Sequence, residues 1–189
     1  MKNLIILLIL SCFSVCTLAQ EHLSFKGIPI TGSMASFCQK LKSKGFTQIE
    51  RTKNFRTFTG DFTGSKVTVV VAATDNNQSV HSVGVVFDPS VEWNELLKTY
   101  EYYKNLYTRK YGSPTVTNEN NPATSDSNIA KMGEVYQGTV TYVSAWAVPG
   151  GEIDLSIEKS AGFYEGMVVI KYIDAQNVET KIQKQLEEI

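Results

Sequence analysis

His22, His81, Cys12, Cys16 and Cys38 are the only imidazole and thiol side chains in the sequence. A dedicated zinc centre gathers three or four such groups, and the two histidines here lie far apart. His81 sits in a run that reads as a strand, the ordinary setting of a surface or hydrogen-bonded histidine. Asp75-Asn76-Asn77 offers oxygen ligands, but the later glycine and glutamate of a calcium-binding loop do not follow, so it reads as a turn. Cys38 shares a helical apolar stripe with Phe37 and Leu41, where burial raises a thiol's pKa and leaves it inert. No Gly-x-Ser-x-Gly elbow or phosphate loop occurs. Glu92, Glu95, Glu101, Asp154 and Glu158 are scattered, with no spacing that singles out an acid–base pair. The sequence thus yields no catalytic, cofactor-binding or metal-binding residue, and no cofactor is expected.

Aromatic side chains are the remaining chemical resource. Trp93, Leu97, Tyr100, Tyr103, Tyr107 and Tyr111 fall on one face of a helix. Such a face either lines a ligand groove or packs on a sheet with its hydroxyls at the rim, and packing is the expectation. Tyr142, Trp146 and Val148 share one face of a strand, and their counterparts in an internal repeat are Arg56, Gly60 and Phe62. If uncovered, this mixed face would suit contact with a partner.

The elements carrying these residues are well punctuated. Ser33 caps a helix whose apolar positions are Met34, Phe37, Cys38 and Leu41, and Gly45 ends it. Lys40, Lys42 and Lys44 crowd its C-terminal end, where the helix dipole favours cations. Strand-like runs follow at 48–51, 55–62, 66–73 and 80–87, separated by turn residues. Asp88-Pro89-Ser90 then introduces the aromatic helix, which Gly112 and Pro114 terminate. Residues 117–131 are polar and proline-containing and read as a mobile loop. Strands resume at 139–148, 152–158 and 167–173, with Pro149-Gly150-Gly151 as a tight hairpin, before a last helix striped with Val178, Ile182 and Leu186.

Sliding the chain so that Gly64 meets Gly150 aligns Val67, Val69 and Val71 with Ile153, Leu155 and Ile157, Val83 with Val169, Val86 with Tyr172, and Asp88 with Asp174. Spacing, turn glycine and terminal aspartate agree, which indicates a duplication with pseudo-repeats at about 33–88 and 91–174. Alternation of Ile153, Leu155 and Ile157 with Asp154, Ser156 and Glu158 makes the first set, with Val67, Val69 and Val71, the core face. The expected fold is α+β: two tandem helix-plus-antiparallel-strand repeats, helices packed on one face of the sheet, and an extra C-terminal helix.

Residues 1–19 read as a signal peptide. Lys2 supplies the charged start, Leu4–Leu10 begins the apolar core, and Thr17-Leu18-Ala19 gives small residues at the cut. The alternative is a lipoprotein acylated at Cys12. Residues 20–189 are expected to form a single α+β domain in the periplasm or outside the cell, with no integral membrane segment in the mature chain. Cleavage would leave Cys38 as the sole cysteine, so no internal disulfide is available. A net charge of −1 gives no electrostatic footprint for nucleic acid.

The segments Phe25-Lys26-Gly27-Ile28-Pro29-Ile30-Thr31-Gly32-Ser33, Leu41 to Phe46 and Lys110-Tyr111-Gly112-Ser113-Pro114 resemble a group of uncharacterised exported proteins of Bacteroidetes, a resemblance that brings no activity with it. The duplicated plan is also similar, at fold level only, to the β-lactamase-inhibitor-protein family, whose members bind a partner enzyme through an exposed sheet face. No residue motif of that family occurs here, so no functional residue is carried over. The expected function is a non-enzymatic binding module that contacts a protein or cell-envelope component through a sheet face. The alternative is a small periplasmic hydrolase built from dispersed carboxylates.

Overall fold

The computed structural model describes residues 21–74 and 79–187; the expected export signal and the Asp75-Asn76-Asn77 turn lie outside them. A two-stranded arm, β1 (Ser24–Phe25) and β2 (Ile28–Pro29), precedes α1 (Met34–Ser43). The first meander is β3 (Thr47–Arg51), β4 (Phe55–Phe62), β5 (Ser65–Ala73) and β6 (Val80–Phe87). Then come α2 (Trp93–Tyr111), β7 (Val116–Asn120), α3 (Asn128–Gln137), β8 (Thr141–Val148), β9 (Gly151–Lys159), β10 (Gly166–Asp174) and α4 (Ala175–Leu186).

Helix ends follow local chemistry, with one exception. Ser33 Oγ accepts from Ser36 N–H at 3.3 Å, and Gly45 takes φ 90° just beyond α1. Asp88-Pro89-Ser90, expected to cap α2, does not. The capping position is Glu92, whose side chain makes no cap bond. Asn128, the first residue of α3, supplies the cap instead. Its Oδ1 accepts from Trp93 N–H at 2.7 Å and its Nδ2 donates to Val91 O at 3.0 Å. A long-range cap of this kind leaves no local pattern to read.

Residues 117–131, expected as a loop, contain most of β7 and the start of α3. Every side chain of β7 is exposed, so it lacks the apolar alternation that marks a half-buried strand. What places it is backbone pairing with β8 along the sheet's edge, from Val116↔Ala145 to Asn120↔Thr141. Ser127 caps α3, which buries Met132 and Val135.

Eight strands form one antiparallel sheet in the order β3-β4-β5-β6-β10-β9-β8-β7, so the two meanders meet at the β6–β10 pair. Matching Gly64 with Gly150 superimposes the bounds of β4 on β8 and of β5 on β9. In the last strand of each half the expected match slips by one residue. β6 buries Val83, Val85 and Phe87, whereas β10 buries Val168, Ile170 and Tyr172 on the same face. The first hairpin holds one more residue than the second, taken up by a register shift at Ala72/Ala73. The structural counterparts are therefore Val83 with Val168, Val85 with Ile170, and Phe87 with Tyr172.

The core lies between the sheet and α1, α2 and α3. Val67, Val69, Val71, Ile153, Leu155 and Ile157 are buried as the alternation requires. Tyr142, Trp146 and Val148 lie on this same helix-covered face, so the condition for a partner surface there, that it be uncovered, is not met. Trp146 is 1% exposed and its indole N–H donates to Gly112 O at 3.0 Å. Its counterpart Gly60 lacks a side chain for a steric reason: a Cβ there would stand 2.4 Å from the Phe46 ring. Each half thus fills the same space with one large aromatic, carried by β8 in one and by the residue after Gly45 in the other. Arg56 is buried too, its guanidinium donating to the carbonyls of Thr52 and Phe55.

Asp174 ties the residues leading into β1 and the start of α4 to the sheet. It is fully buried, and its carboxylate accepts from Leu23 N–H at 3.0 Å and Asn177 N–H at 2.9 Å, with His22 Nδ1 3.0 Å away. Asn177 Nδ2 donates in turn to Ile30 O and Val80 O. This polar anchoring takes the place of the expected apolar stripe on α4. Ile182 and Leu186 are 43% and 53% exposed, and Val178 is half-buried.

Candidate functional site

Two features of the surface merit construction from their residues: the side of the sheet turned away from α1–α3, and a cleft at one end of α2. On the sheet, period-two alternation assigns to the uncovered side Thr57, Thr59, Thr68, Val70, Gly84 and Val86 of the first meander. From the second it assigns Val143, Ala145, Asp154, Ser156, Glu158, Met167, Val169, Lys171 and Ile173. Val86 is directly opposite Val169 at the junction of the meanders, and Gly84 is opposite Lys171. A solvated face normally alternates to polar residues. β10 instead reads Met167-Val168-Val169-Ile170, then Tyr172-Ile173, apolar on both sides except at Lys171.

Charge on this face is concentrated in the second half. Lys171 Nζ donates to Glu158 Oε1 at 2.7 Å, and Ser156 Oγ donates to the same oxygen at 2.7 Å. Burial would raise Glu158, but these hydrogen bonds and the Lys171 charge outweigh it and hold the carboxyl below its usual range. Asp154 goes the other way. Burial foremost, then the charge and hydrogen bond of Glu152 and the charge of Glu158, push it up to about 6 against the pull of Lys171. Its Oδ1 is buried without a hydrogen-bond partner. Two neighbouring carboxyls with separated pKa values resemble an acid–base pair. They stand on a sheet surface, however, and neither lines the cleft.

The aromatic helix divides its work. Trp93, Leu96 and Tyr100 are core; Tyr100 Oη meets Ser144 Oγ at 2.7 Å and donates to Glu119 Oε1 at 3.0 Å. Leu96 occupies the buried position in place of the expected Leu97, which is half-buried. Tyr103, Tyr107 and Tyr111 are wall as well as packing. With Tyr172, Leu106, the β1–β2 arm and the Thr63 and Pro149 turns they line a cleft of about 650 Å³, within the range of small-molecule sites. Tyr103 Oη bonds Thr63 Oγ1 at 2.7 Å, and the hydroxyls of Tyr107 and Tyr172 bond each other. Burial foremost drives both of the latter phenols well above the ordinary tyrosine range, so they remain neutral donors and acceptors. The arm is held close: a Cβ on Gly150, itself at φ 83°, would meet Glu21 O at 2.4 Å and Leu23 N at 2.5 Å.

The remaining sequence candidates are dispersed. Cys38 is buried, and burial raises its thiol pKa although Arg56, Lys42 and Arg51 oppose the shift. Lys42, one of the lysines at the C-terminal end of α1, is thus near enough to act on the thiol. His81 is lowered by burial and then by Lys181, far in sequence from His22 at the Asp174 anchor. Glu92 and Glu95 are exposed near the start of α2. Among the described residues no group of three or more His, Cys, Asp or Glu could hold a metal, and no helix is long and apolar enough to cross a membrane. Asn128 and Asn177 were missed by sequence reasoning because each acts on a segment distant in the chain, and Asp174 entered only as the terminal aspartate of the second repeat, without its bond to Leu23. Comparison with protein-family models, with curated proteins and with solved structures gives no match for this chain.

Proposed function

We propose that the chain is an exported, non-enzymatic binding module that contacts a protein of the cell envelope through the uncovered side of its sheet. The observation carrying this reading is the apolar centre of that side. Val70, Val86, Val143 and Met167 are half-buried there with no helix of the α1–α3 layer over them, and they lie around Val169, which is 4% exposed. Apolar residues gathered on an uncovered surface, rimmed by charge, are the usual composition of a protein-contact site. Glu152, Asp154 and Glu158 make the rim acidic on one side, which suits a partner presenting basic side chains. The hydrolase reading finds less support, since neither Asp154 nor Glu158 lines the cleft.

Immobilised chain should capture a specific partner from the envelope fraction of its own cells. Val86→Glu, which places a charge at the centre of the patch, should abolish capture with the melting temperature within a few degrees of the parent. Lys98→Glu, on the exposed side of α2, should leave capture intact. Loss with Lys98→Glu and retention with Val86→Glu would move the contact to the helical side.

A further inference from the structure

The cleft beside the C-terminal half of α2 has a composition that the sheet-face reading does not use. Its wall is apolar and aromatic, with Leu106, Tyr107, Tyr111, Val148 and Tyr172 among its residues, and Lys26 and Lys110 belong to its lining. Neither ammonium forms an ion pair with a carboxylate among the described residues. Lys26 Nζ donates to the Asp61 carbonyl at 3.0 Å and lies 5.4 Å from the Phe46 ring centre, while Lys110 Nζ lies 4.8 Å from that of Tyr111. Glu21 is the opposing charge in the lining, and His22 is engaged with Asp174. The charged side chains of the lining are therefore net positive.

The tyrosine pair adds a second requirement. A hydrogen bond between two hydroxyls uses one O–H, so the bond between Tyr107 and Tyr172 leaves the other proton without an acceptor among the described residues. Both side chains are more than nine-tenths buried and both line the cleft. Tyr103 differs, because Thr63 Oγ1 donates to Phe62 O at 2.8 Å and can therefore accept the Tyr103 proton. One neutral, buried O–H is left to donate, in a wall whose charged side chains are the Lys26 and Lys110 ammonium groups and the single Glu21 carboxylate.

We propose that this cleft binds an amphipathic carboxylate, its apolar body against the tyrosine and leucine wall and its head among Lys26, Lys110 and the uncommitted tyrosine hydroxyl. Apolar walls with a few convergent polar groups are the general form of a small-ligand site. An anion matches this set because it accepts from all three donors, whereas a cation would face two ammonium groups. The site stands independently of whether the sheet face has a partner.

Isothermal titration of the purified chain with decanoate, and in parallel with decanol, tests this. Decanoate should bind saturably at one site with a sub-millimolar Kd and decanol should bind more weakly. Lys26→Gln/Lys110→Gln should weaken decanoate about fivefold or more while leaving decanol unchanged. Tyr107→Phe/Tyr172→Phe, which keeps the rings and removes the hydroxyls, should also weaken decanoate, with circular dichroism confirming the fold of each variant. Equal affinity for decanoate and decanol, decanoate binding unaltered in both double variants, or no saturable heat with decanoate would each overturn the proposal.

Discussion

Asp154 shows what a single residue discloses about this surface. A carboxyl on a face open to water has no reason to leave its ordinary range, yet burial and the neighbouring Glu152 push it up to about 6 from 3.8. The folded state binds this proton more tightly than the unfolded chain does, so stability falls as pH rises from about 4 to about 6. The cost is fully present above that window and absent below it. Asp154→Asn should therefore raise the melting temperature at pH 7.5 and change it little at pH 3.5, as followed by thermal unfolding at both values. A larger gain at the acidic pH would mean that Lys171 holds the carboxylate ionised. Alternation placed Asp154 on the outer side of β9, but its burial among side chains of neighbouring strands was invisible in a linear pattern.

The same limit governs whole elements. Those whose sides differ in chemistry were legible: α1 from Ser33, its apolar spacing and Gly45, and β5 and β9 from the alternation around Val69 and Leu155. Those defined by partners were not. β7 buries no side chain, and α2 takes its cap from Asn128. The β10 match slipped because only Lys171 marks a parity in Met167–Ile173, where both sides are otherwise apolar. The inward assignment of β9 and β5 is testable directly. Leu155→Ala removes buried carbon from a packed site and should cost about 2 to 5 kcal/mol. Thr68→Ala, on the half-exposed side of β5, should stay within about 0.5 kcal/mol. Denaturant unfolding with unchanged m-values is the measurement. Similar losses at both positions would mean that the outer side is packed as tightly as the inner.

At the scale of the molecule, two meanders with matching strand bounds build one eight-stranded sheet, with α1, α2 and α3 over its inner side. The meanders join through β6 and β10, and the helices closed by Gly45, Gly112 and Gly138 cover the shared face. Joining them also creates the apolar centre on the other side, because Val86 and Val169 belong to different halves and meet only there. The inner face was legible in the sequence, from the alternation of Ile153, Leu155 and Ile157 with Asp154, Ser156 and Glu158. The candidate cleft was not legible, since its residues come from the arm, α2, two turns and β10. Export belongs to this scale as well. The expected mature N-terminus is Gln20, and intact-mass measurement of the protein recovered from its own cells should find it; a species beginning at an acylated Cys12 would identify a lipoprotein instead.

The proposal that this chain works through the uncovered side of its sheet is tested most directly by photo-crosslinking in the native cells, with a photoreactive residue placed one position at a time. Thr68, Val86 and Val143 sample that side, and Lys98 and Asn105 sample the exposed side of α2. We expect one discrete adduct of the same partner from all three sheet positions and none from the two helical ones. Adducts confined to Lys98 and Asn105, with the sheet positions silent, would contradict it.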